Sequence, residues 1–293
     1  MKLAFSNLAC PLWSIERAAD AARSLGYDAL ELRLLDGEVI DPLRDRERVR
    51  EATAICRALG VEVCAFDSSC SFNHAAVADR ERNVEDLLAW IRLAADVSVP
   101  IVRVFGGQGE PDEDAATANA RVAEALRLAA PEAEAAGITV ALETHDAFSS
   151  AHRVAEVLAQ VSVSSPRIAA LWDSHHPYRM GESAEEVADV LGSRIAHVHV
   201  KDATRTDPEG TTWQLVLLGE GEVPVAEQLR VLRQRGYEGY VSVEWEKKWH
   251  PEIPEPEVAL PQHIRYLRSL IGRSTGVDDA ERGNPDHPLG NER

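Results

Sequence analysis

The feature that most constrains the fold of this 293-residue chain is an alternation of short apolar runs with amphipathic stretches of helical period. Eight strands are predicted: Lys2–Asn7, Ala29–Arg33, Val61–Ser68, Ile101–Gly106, Thr139–His145, Ile168–Asp173, Ile195–Lys201 and Tyr240–Glu246. Eight helices are predicted between and after them: Ile15–Leu25, Arg46–Leu59, Glu81–Val97, Asp114–Ala136, Ala151–Val161, Ala184–Leu191, Val225–Arg235 and Glu257–Gly272. Strict strand–helix alternation predicts an α/β fold with a parallel sheet. Eight repeats at this length predict that the sheet closes into a single (β/α)8 barrel.

One domain is predicted, because the alternation runs without a break over residues 1–272. Several predicted helices are followed by a glycine, as expected of a helix C-cap: Gly26, Gly60, Gly137 and Gly236. Residues 273–293 are polar, rich in glycine and proline, and without periodicity. We therefore expect the barrel to occupy 1–272 and a disordered C-terminal tail to occupy 273–293.

Charge and composition argue against several classes of partner. The chain has 31 Lys and Arg against 49 Asp and Glu, a net charge of −18 that repels nucleic-acid phosphates, so no nucleic-acid partner is expected. No apolar run approaches the roughly 18 residues that span a bilayer, and the N-terminal segment resembles a first strand and helix more than a signal peptide. We therefore expect no membrane partner and a cytoplasmic location. The cysteines lack CxxC spacing and are predicted to be reduced thiols: Cys10, Cys56, Cys64 and Cys70.

Four successive apolar runs of the second half each end in an acidic or imidazole side chain: Glu143, Asp173, His199 and Glu244. Any one of them could be an ordinary strand end that makes a salt bridge, but such groups are costly to bury unless they are paired or bound to metal. The carboxyl ends of parallel barrel strands meet at one mouth, so the four are predicted to converge there. Oxygen-rich ligation with a single imidazole suits one divalent cation, with Mn favoured and Mg, Co or Zn possible.

Strand parity separates these residues from their neighbours, because alternate side chains face opposite sides of a strand. His197 shares the face of His199 but lies one layer deeper, so it is expected to support the site or to pack. Glu246 shares the face of Glu244 but lies beyond the strand, so Glu244 is the preferred ligand. Lys201 is assigned to the outward face of its strand and is expected to point away from the barrel interior.

Residues that follow the strand ends are candidates for contact with a substrate. His176 lies three residues after Asp173, and His145 lies two residues after Glu143. Both are predicted to bind substrate, with His175 as a weaker alternative to His176. Arg103, inside the fourth strand, is a candidate partner of a buried carboxylate.

Two connections are longer than a barrel needs, Asp202–Pro224 and Lys247–Pro256. Long connections that follow strands lie at the C-terminal mouth, so these two are predicted to wall the pocket. Arg205, in the first of them, is predicted to hold a substrate oxygen.

The motifs ALETH, LWDSHH, HVHVKD, LGEGEVP and GYVSVEWE, in this order, resemble the xylose-isomerase-like TIM barrels of the sugar phosphate isomerase/epimerase group. Inosose isomerases and ketose 3-epimerases are the most similar by pattern. The resemblance covers about 1–272, with the specific motifs in the second half. It implies that one divalent metal is held by four residues: Glu143, Asp173, His199 and Glu244. It also implies that the two glutamates form the acid/base pair and that His176 and Arg205 bind substrate oxygens.

The same resemblance leaves the reaction open. Dehydratases of 3-dehydroshikimate or inosose, and lyases of 3-keto-glycosides, share the ligand set. A three-metal apurinic-site endonuclease is disfavoured, because it needs further histidines in the first half and His74 is the only one there. A barrel that only binds a partner is disfavoured by the full set of ligands.

The sequence therefore predicts a metal-dependent isomerase or epimerase of a keto-sugar or keto-cyclitol that works through an enediolate. Glu143 and Glu244 would exchange the proton on opposite faces of this polyhydroxy ketone. Free sugars are expected to serve at least as well as phosphates, because no second Lys/Arg cluster is evident near the mouth. A homo-oligomer is compatible with the sequence.

Overall fold

Eight parallel strands close into a barrel in the computed structural model, which describes residues 1–109, 113–161, 165–207, 209 and 212–272. They are β1 (Lys2–Ser6), β2 (Ala29–Leu32), β3 (Glu62–Ser71), β4 (Ile101–Phe105), β5 (Thr139–Glu143), β6 (Ile168–Asp173), β7 (Ile195–Val200) and β8 (Tyr240–Val243). Each strand pairs with the next along the chain, and β8 pairs with β1. The predicted (β/α)8 barrel is confirmed. The predicted tail, 273–293, lies outside the described residues.

A helix follows each of these strands and packs outside the barrel. The helices are α1 (Ile15–Leu25), α2 (Arg46–Ala58), α3 (Val77–Val97), α4 (Ala115–Ala136), α5 (Ala151–Gln160), α6 (Ala184–Leu191), α7 (Val225–Gln234) and α8 (Pro256–Ile271). Local sequence sets their ends. Ser14 Oγ, for example, accepts a hydrogen bond from the backbone N–H of Arg17 at the start of α1, and Gly26 ends that helix with a φ of 83°. None of the described helices is long and apolar enough to cross a bilayer.

The barrel interior changes from apolar to charged along the strands. Small and apolar side chains form its inner layer: Ala4, Ala29, Cys64, Ala65, Ile101, Ala141 and Leu171. Two residues after five of these, and therefore on the same face, come Glu31, Asp67, Arg103, Glu143 and Asp173, all buried. Alternation along parallel strands thus builds a charged layer directly above an apolar one, at the C-terminal end of the barrel.

The first long connection forms a hairpin at the mouth. Asp202–Arg205 pairs antiparallel with Trp213–Val216. The Asp202 carboxylate accepts hydrogen bonds from the backbone N–H groups of Gly219, Gly221 and Val223 at 2.9, 3.0 and 3.1 Å, which shapes the LGEGEVP turn. A side chain at position 221 would meet this carboxylate, since an added Cβ lies 2.2 Å from Asp202 Oδ1.

Several predicted boundaries differ from the structure by a few residues. The fifth strand ends at Glu143 rather than His145, and the eighth ends at Val243 rather than Glu246. The predicted strands are too long because an apolar run indicates burial, not strand pairing. At the mouth, residues stay buried after the backbone hydrogen bonds between the strands have ended. The four cysteines are buried and free, as predicted.

Candidate active site

Glu143, Asp173, His199 and Glu244 meet at the C-terminal end of the barrel. One ligand atom from each lies within 4.8 Å of those from the other three, and all four side chains are buried. Strand register explains the convergence, because Asp173 on β6 lies beside His199 on β7, and His199 lies beside Ser242 on β8, two residues before Glu244. Sequence reasoning anticipated this arrangement from strand ends alone.

The carboxylates of this cluster have oxygen atoms that suit a cation. Glu143 Oε2 and Asp173 Oδ2 are buried and accept no hydrogen bond from the described residues. Asp173 Oδ1 accepts the backbone N–H groups of His175 and His176 at 2.8 and 3.0 Å, which fixes the carboxylate. Three carboxylates and one imidazole nitrogen, with two buried oxygens that accept no hydrogen bond in the described chain, fit a hard or intermediate divalent cation.

Glu31 orients the imidazole of the cluster, and sequence reasoning missed it. Its Oε1 lies 2.7 Å from His199 Nε2 and its Oε2 lies 2.7 Å from His197 Nε2. On the other side of the ring, Nδ1 of His199 lies 3.3 Å from Glu143 Oε1 and 3.4 Å from Glu244 Oε1. Burial alone would lower the pKa of His199, but the three surrounding glutamates hold it well above its usual value. A carboxylate behind a ligating imidazole typically raises its basicity and fixes its tautomer. His197 therefore supports the site from one layer below, as parity predicts.

Lys201 enters the cluster, contrary to the expectation from parity. Its Nζ lies 2.5 Å from Glu244 Oε2, 2.6 Å from Glu246 Oε1 and 3.2 Å from Asp173 Oδ2. The expectation was wrong because Lys201 lies two residues after His199, so alternation places both side chains on the same, inward face. Burial alone would lower the pKa of Lys201, but the surrounding carboxylates hold it well above its usual value.

Arg103 is the second buried cation, and it pairs with carboxylates as the sequence suggested. Its Nε lies 3.3 Å from Glu143 Oε2 and 3.5 Å from Asp67 Oδ1. Burial, together with the neighbouring Glu31, raises the pKa of Asp67 well above its usual value despite Arg103. Asp67 was also missed, although both it and Glu31 follow an inward alanine by two residues, which is the signal that would have found them.

The ligand carboxylates differ in their proton affinity. Burial raises the pKa of Glu244, but Lys201 and His199 outweigh it and hold that pKa well below the usual range. Burial and Glu244 raise the pKa of Glu143, yet Arg103 and His199 bring it below its usual value. Asp173 goes the other way: burial outweighs Lys201, and its pKa rises to about 6. The two glutamates are therefore the more strongly ionised members of the cluster.

Two histidines from the sequence prediction stand next to the cluster. His176 is buried, its Nε2 lies 4.0 Å from Asp173 Oδ1, and neither ring nitrogen has a hydrogen-bond partner in the described chain. Burial, together with Lys201, lowers its pKa well below the usual value. The His145 ring stands edge-on to that of His176 at 4.4 Å between centroids. His175 faces Trp213 at 5.0 Å instead.

Arg205 lies outside the cluster. Its side chain is exposed, makes an ion pair with Glu222 at 2.6 Å, and stands over the ring of Trp213. Trp213 in turn contacts His175, so the hairpin that carries Arg205 forms part of the wall near His176. The substrate-binding role of Arg205 stays a prediction.

The fold places this cluster of three carboxylates and one imidazole at the C-terminal ends of the barrel strands. Residues 19–270 match the family model described as xylose isomerase-like TIM barrel. The chain therefore belongs to this family, in agreement with the resemblance seen in the motifs.

Individual relatives are distant. A fructoselysine 3-epimerase from Escherichia coli O157:H7 is 25% identical over 270 residues, which cover 88% of this chain and 94% of the relative. An inosose isomerase from Halalkalibacterium halodurans is 24% identical over 228 residues, 75% of this chain and 78% of the relative. The crystal structure of the IOLI protein with a binding zinc atom superposes with a TM-score of 0.78 at 18% identity, covering 93% of this chain and 98% of that one. The structural likeness at this identity speaks for the fold.

Proposed function

We propose that this protein is a divalent-metal-dependent isomerase or epimerase of a keto-sugar or keto-cyclitol. The observation that carries the proposal is a pair of buried glutamates, Glu143 from β5 and Glu244 next to β8, whose carboxylates lie 3.3 and 3.4 Å from His199 Nδ1. Two carboxylates that approach one point from separate strands suit proton exchange at two positions or on two faces of one substrate. The epimerase and isomerase among the relatives support the same class of reaction.

The metal would be held by Glu143, Asp173, His199 and Glu244, and the clustering of one ligand atom from each within 4.8 Å supports the assignment. A bound divalent cation supplies Lewis-acid stabilisation of negative charge on the oxygens of a ketone and its neighbouring hydroxyl. Mn²⁺ is our first choice, with Mg²⁺, Co²⁺ and Zn²⁺ as alternatives.

The protein's own groups would move the proton. One glutamate takes a proton from the carbon beside the carbonyl, which gives an enediolate, and the same or the other glutamate returns it. A proton returned to the other face gives the epimer. A proton returned to the former carbonyl carbon gives the isomer, when the hydroxyl proton also moves to the former carbonyl oxygen. Arg103 beside Glu143 and Lys201 beside Glu244 favour the ionised forms that act as bases.

The imidazoles at the mouth would position the substrate. His176 has two buried ring nitrogens without a partner, so a substrate hydroxyl in reach would satisfy one of them. His145 lies against His176 and extends the same wall. We assign substrate binding to both, and to Arg205 at the rim.

A dehydratase is the second candidate, and Lys201 is the observation that favours it. Its ammonium lies 2.5 Å from Glu244, so an acid stands beside a base. After the same proton abstraction, a hydroxyl on the next carbon would leave as water with a proton from Lys201. The first step is shared with isomerisation, so the fate of that hydroxyl decides between the two.

The deciding experiment incubates the metal-analysed protein with a panel of keto-sugars and keto-cyclitols in deuterated water, followed by NMR and mass spectrometry. An isomerase or epimerase places solvent deuterium on carbon in recovered substrate or product without loss of water. A product lighter by one water establishes the dehydratase. A metal-free protein, or one inactive across the panel, contradicts the proposal and favours a barrel that only binds a partner.

A further inference from the structure

Arg33 stands at the mouth of the barrel and has no role in the proposed metal binding or proton transfer. It directly follows β2 and lies two residues after Glu31, so it continues the face on which Glu31 contacts the site imidazoles. Its side chain is half-buried. The residue thus belongs to the layer directly above the charged interior.

The hydrogen bonds around Arg33 fix its position but leave its charge unmatched. Its backbone N–H donates to Asn7 Oδ1 at 2.8 Å, and Nη1 donates to the Asp67 carbonyl oxygen at 2.7 Å. A guanidinium has five N–H donors, so most of this group's capacity remains available. In the described ranges of the chain, no carboxylate oxygen lies within 4.0 Å of its nitrogens.

The other two cations of the region are paired. Arg103 contacts Glu143 and Asp67, and Lys201 contacts three carboxylates. Arg33 therefore differs from both in having only a backbone carbonyl as acceptor among the residues that the structure describes. Burial and the nearby Arg103 lower its pKa to about 10, even though Asp67 and Glu244 act in the opposite direction. A half-buried cation without a carboxylate partner suits a site that binds an anion.

The charge of the surroundings indicates which anion. Six carboxylates surround the centre: Glu31, Asp67, Glu143, Asp173, Glu244 and Glu246. Three cationic side chains and one divalent cation would leave this region close to neutral. A monoanion is therefore less costly to bring in than a phosphate dianion, and a planar carboxylate matches the fork of a single guanidinium.

We propose that Arg33 binds the carboxylate of the substrate, which places the substrate among the sugar-derived keto acids. The proposal rests on the proposed function, since it assumes that the ketone end of the same molecule lies at the glutamate pair. It keeps the expectation that free sugars serve at least as well as phosphates and adds a carboxylate to the substrate. Arg33 is a single cation from the first half of the barrel, not the Lys/Arg cluster that a phosphate would favour.

A matched pair of probes tests the proposal by calorimetric titration of the Mn²⁺-loaded protein. 5-Keto-D-gluconate and L-sorbose differ only in a carboxylate that replaces the terminal hydroxymethyl group. The acid should bind the wild type at least ~10-fold more tightly than the sugar. Arg33→Gln should weaken the acid by about 10- to 100-fold and leave L-sorbose within about 2-fold, because a charge-assisted bidentate pair is lost.

Further variants and one further probe complete the test. Arg33→Lys keeps the charge without the fork and should give an intermediate affinity, while Arg92→Gln, an exposed arginine paired with Glu132 on the outer face, should match the wild type. Circular dichroism checks that each variant is folded. Equal affinity of the acid for wild type and Arg33→Gln, or no binding of the acid to the wild type, overturns the proposal. Tighter binding of L-sorbose 6-phosphate than of the acid overturns the choice of carboxylate. Binding needs no turnover, so failure of the isomerase proposal appears separately, as absence of deuterium exchange.

Discussion

At the scale of single residues, the proposed metal centre depends on buried carboxylates and an imidazole, which are costly to bury unless they are paired or bound to metal. Asp173 is held by two backbone N–H groups on one oxygen, and its other oxygen is free of hydrogen bonds in the described chain. His199 is held by Glu31 from behind. These two residues are therefore the most direct test of metal binding.

Asp173→Ala and His199→Ala should each remove the bound ion and all activity while the barrel stays folded, because each deletes a ligand from a site formed by four. Metal content measured by plasma mass spectrometry, with circular dichroism for folding, checks this. Asp189→Ala, which removes an exposed carboxylate paired with Arg235, is the matched control and should keep the ion. Stoichiometric metal in both ligand variants would refute the assignment.

Glu143→Gln and Glu244→Gln should each lower turnover by ~10²–10⁴-fold, the usual contribution of a positioned proton-transfer group. The amide keeps an oxygen that can face a cation, so metal loss should be milder than for Asp173→Ala. Each variant should still exchange the substrate proton with solvent on one face, which NMR in deuterated water detects as deuterium uptake without turnover. Near-normal turnover of Glu244→Gln would instead transfer the role to Glu246, whose carboxylate also contacts Lys201.

At the scale of elements, the order of the strands and the candidate ligands at their ends could be predicted from the sequence. Short apolar runs alternate there with stretches whose apolar residues repeat with helical period. Lys201 was assigned to the wrong face, although it lies two residues after His199 and alternation places both side chains towards the interior. Glu31 and Asp67 could not be found from the acidic or imidazole strand ends of the second half, because they belong to the first half and are identified by the small residue two positions before each of them.

Helix α8 carries a histidine whose titration should affect stability. His263 is buried against Trp245, and burial lowers its pKa to about 3, whereas its unfolded-state value is near 6.5. The unfolded chain therefore binds this proton first, so stability is complete above pH 6.5 and declines as the pH falls towards 3. By pH 5 the cost is about 2 kcal/mol, at ~1.4 kcal/mol per pH unit.

His263→Gln should remove this part of the acid sensitivity. Urea unfolding between pH 7 and pH 5 checks it, and the variant should lose about 2 kcal/mol less than the wild type over that range. His250→Gln is a suitable control, because His250 lies half exposed in the loop before α8. Parallel pH profiles for wild type and His263→Gln would show that His263 is protonated in the native state.

At the scale of the whole molecule, the centre draws on both halves of the barrel. The four candidate ligands come from β5 to β8, but the group that orients His199 comes from β2, and the cation that pairs with Glu143 comes from β4. The second half alone thus contains all four candidate ligands but lacks Glu31 and Arg103, which contact His199 and Glu143.

With a metal in the proposed site, the Glu31–His199 contact would make tight metal capture a late event in biosynthesis. Residues 139–244 can supply the ligands as soon as they fold, but the imidazole has its partner only after the sheet has closed between β1 and β8. A nascent or split chain would hold the ion loosely, and the completed barrel would retain it. Retention of the ion would then show that the barrel has closed. Only a completely folded barrel would therefore become active.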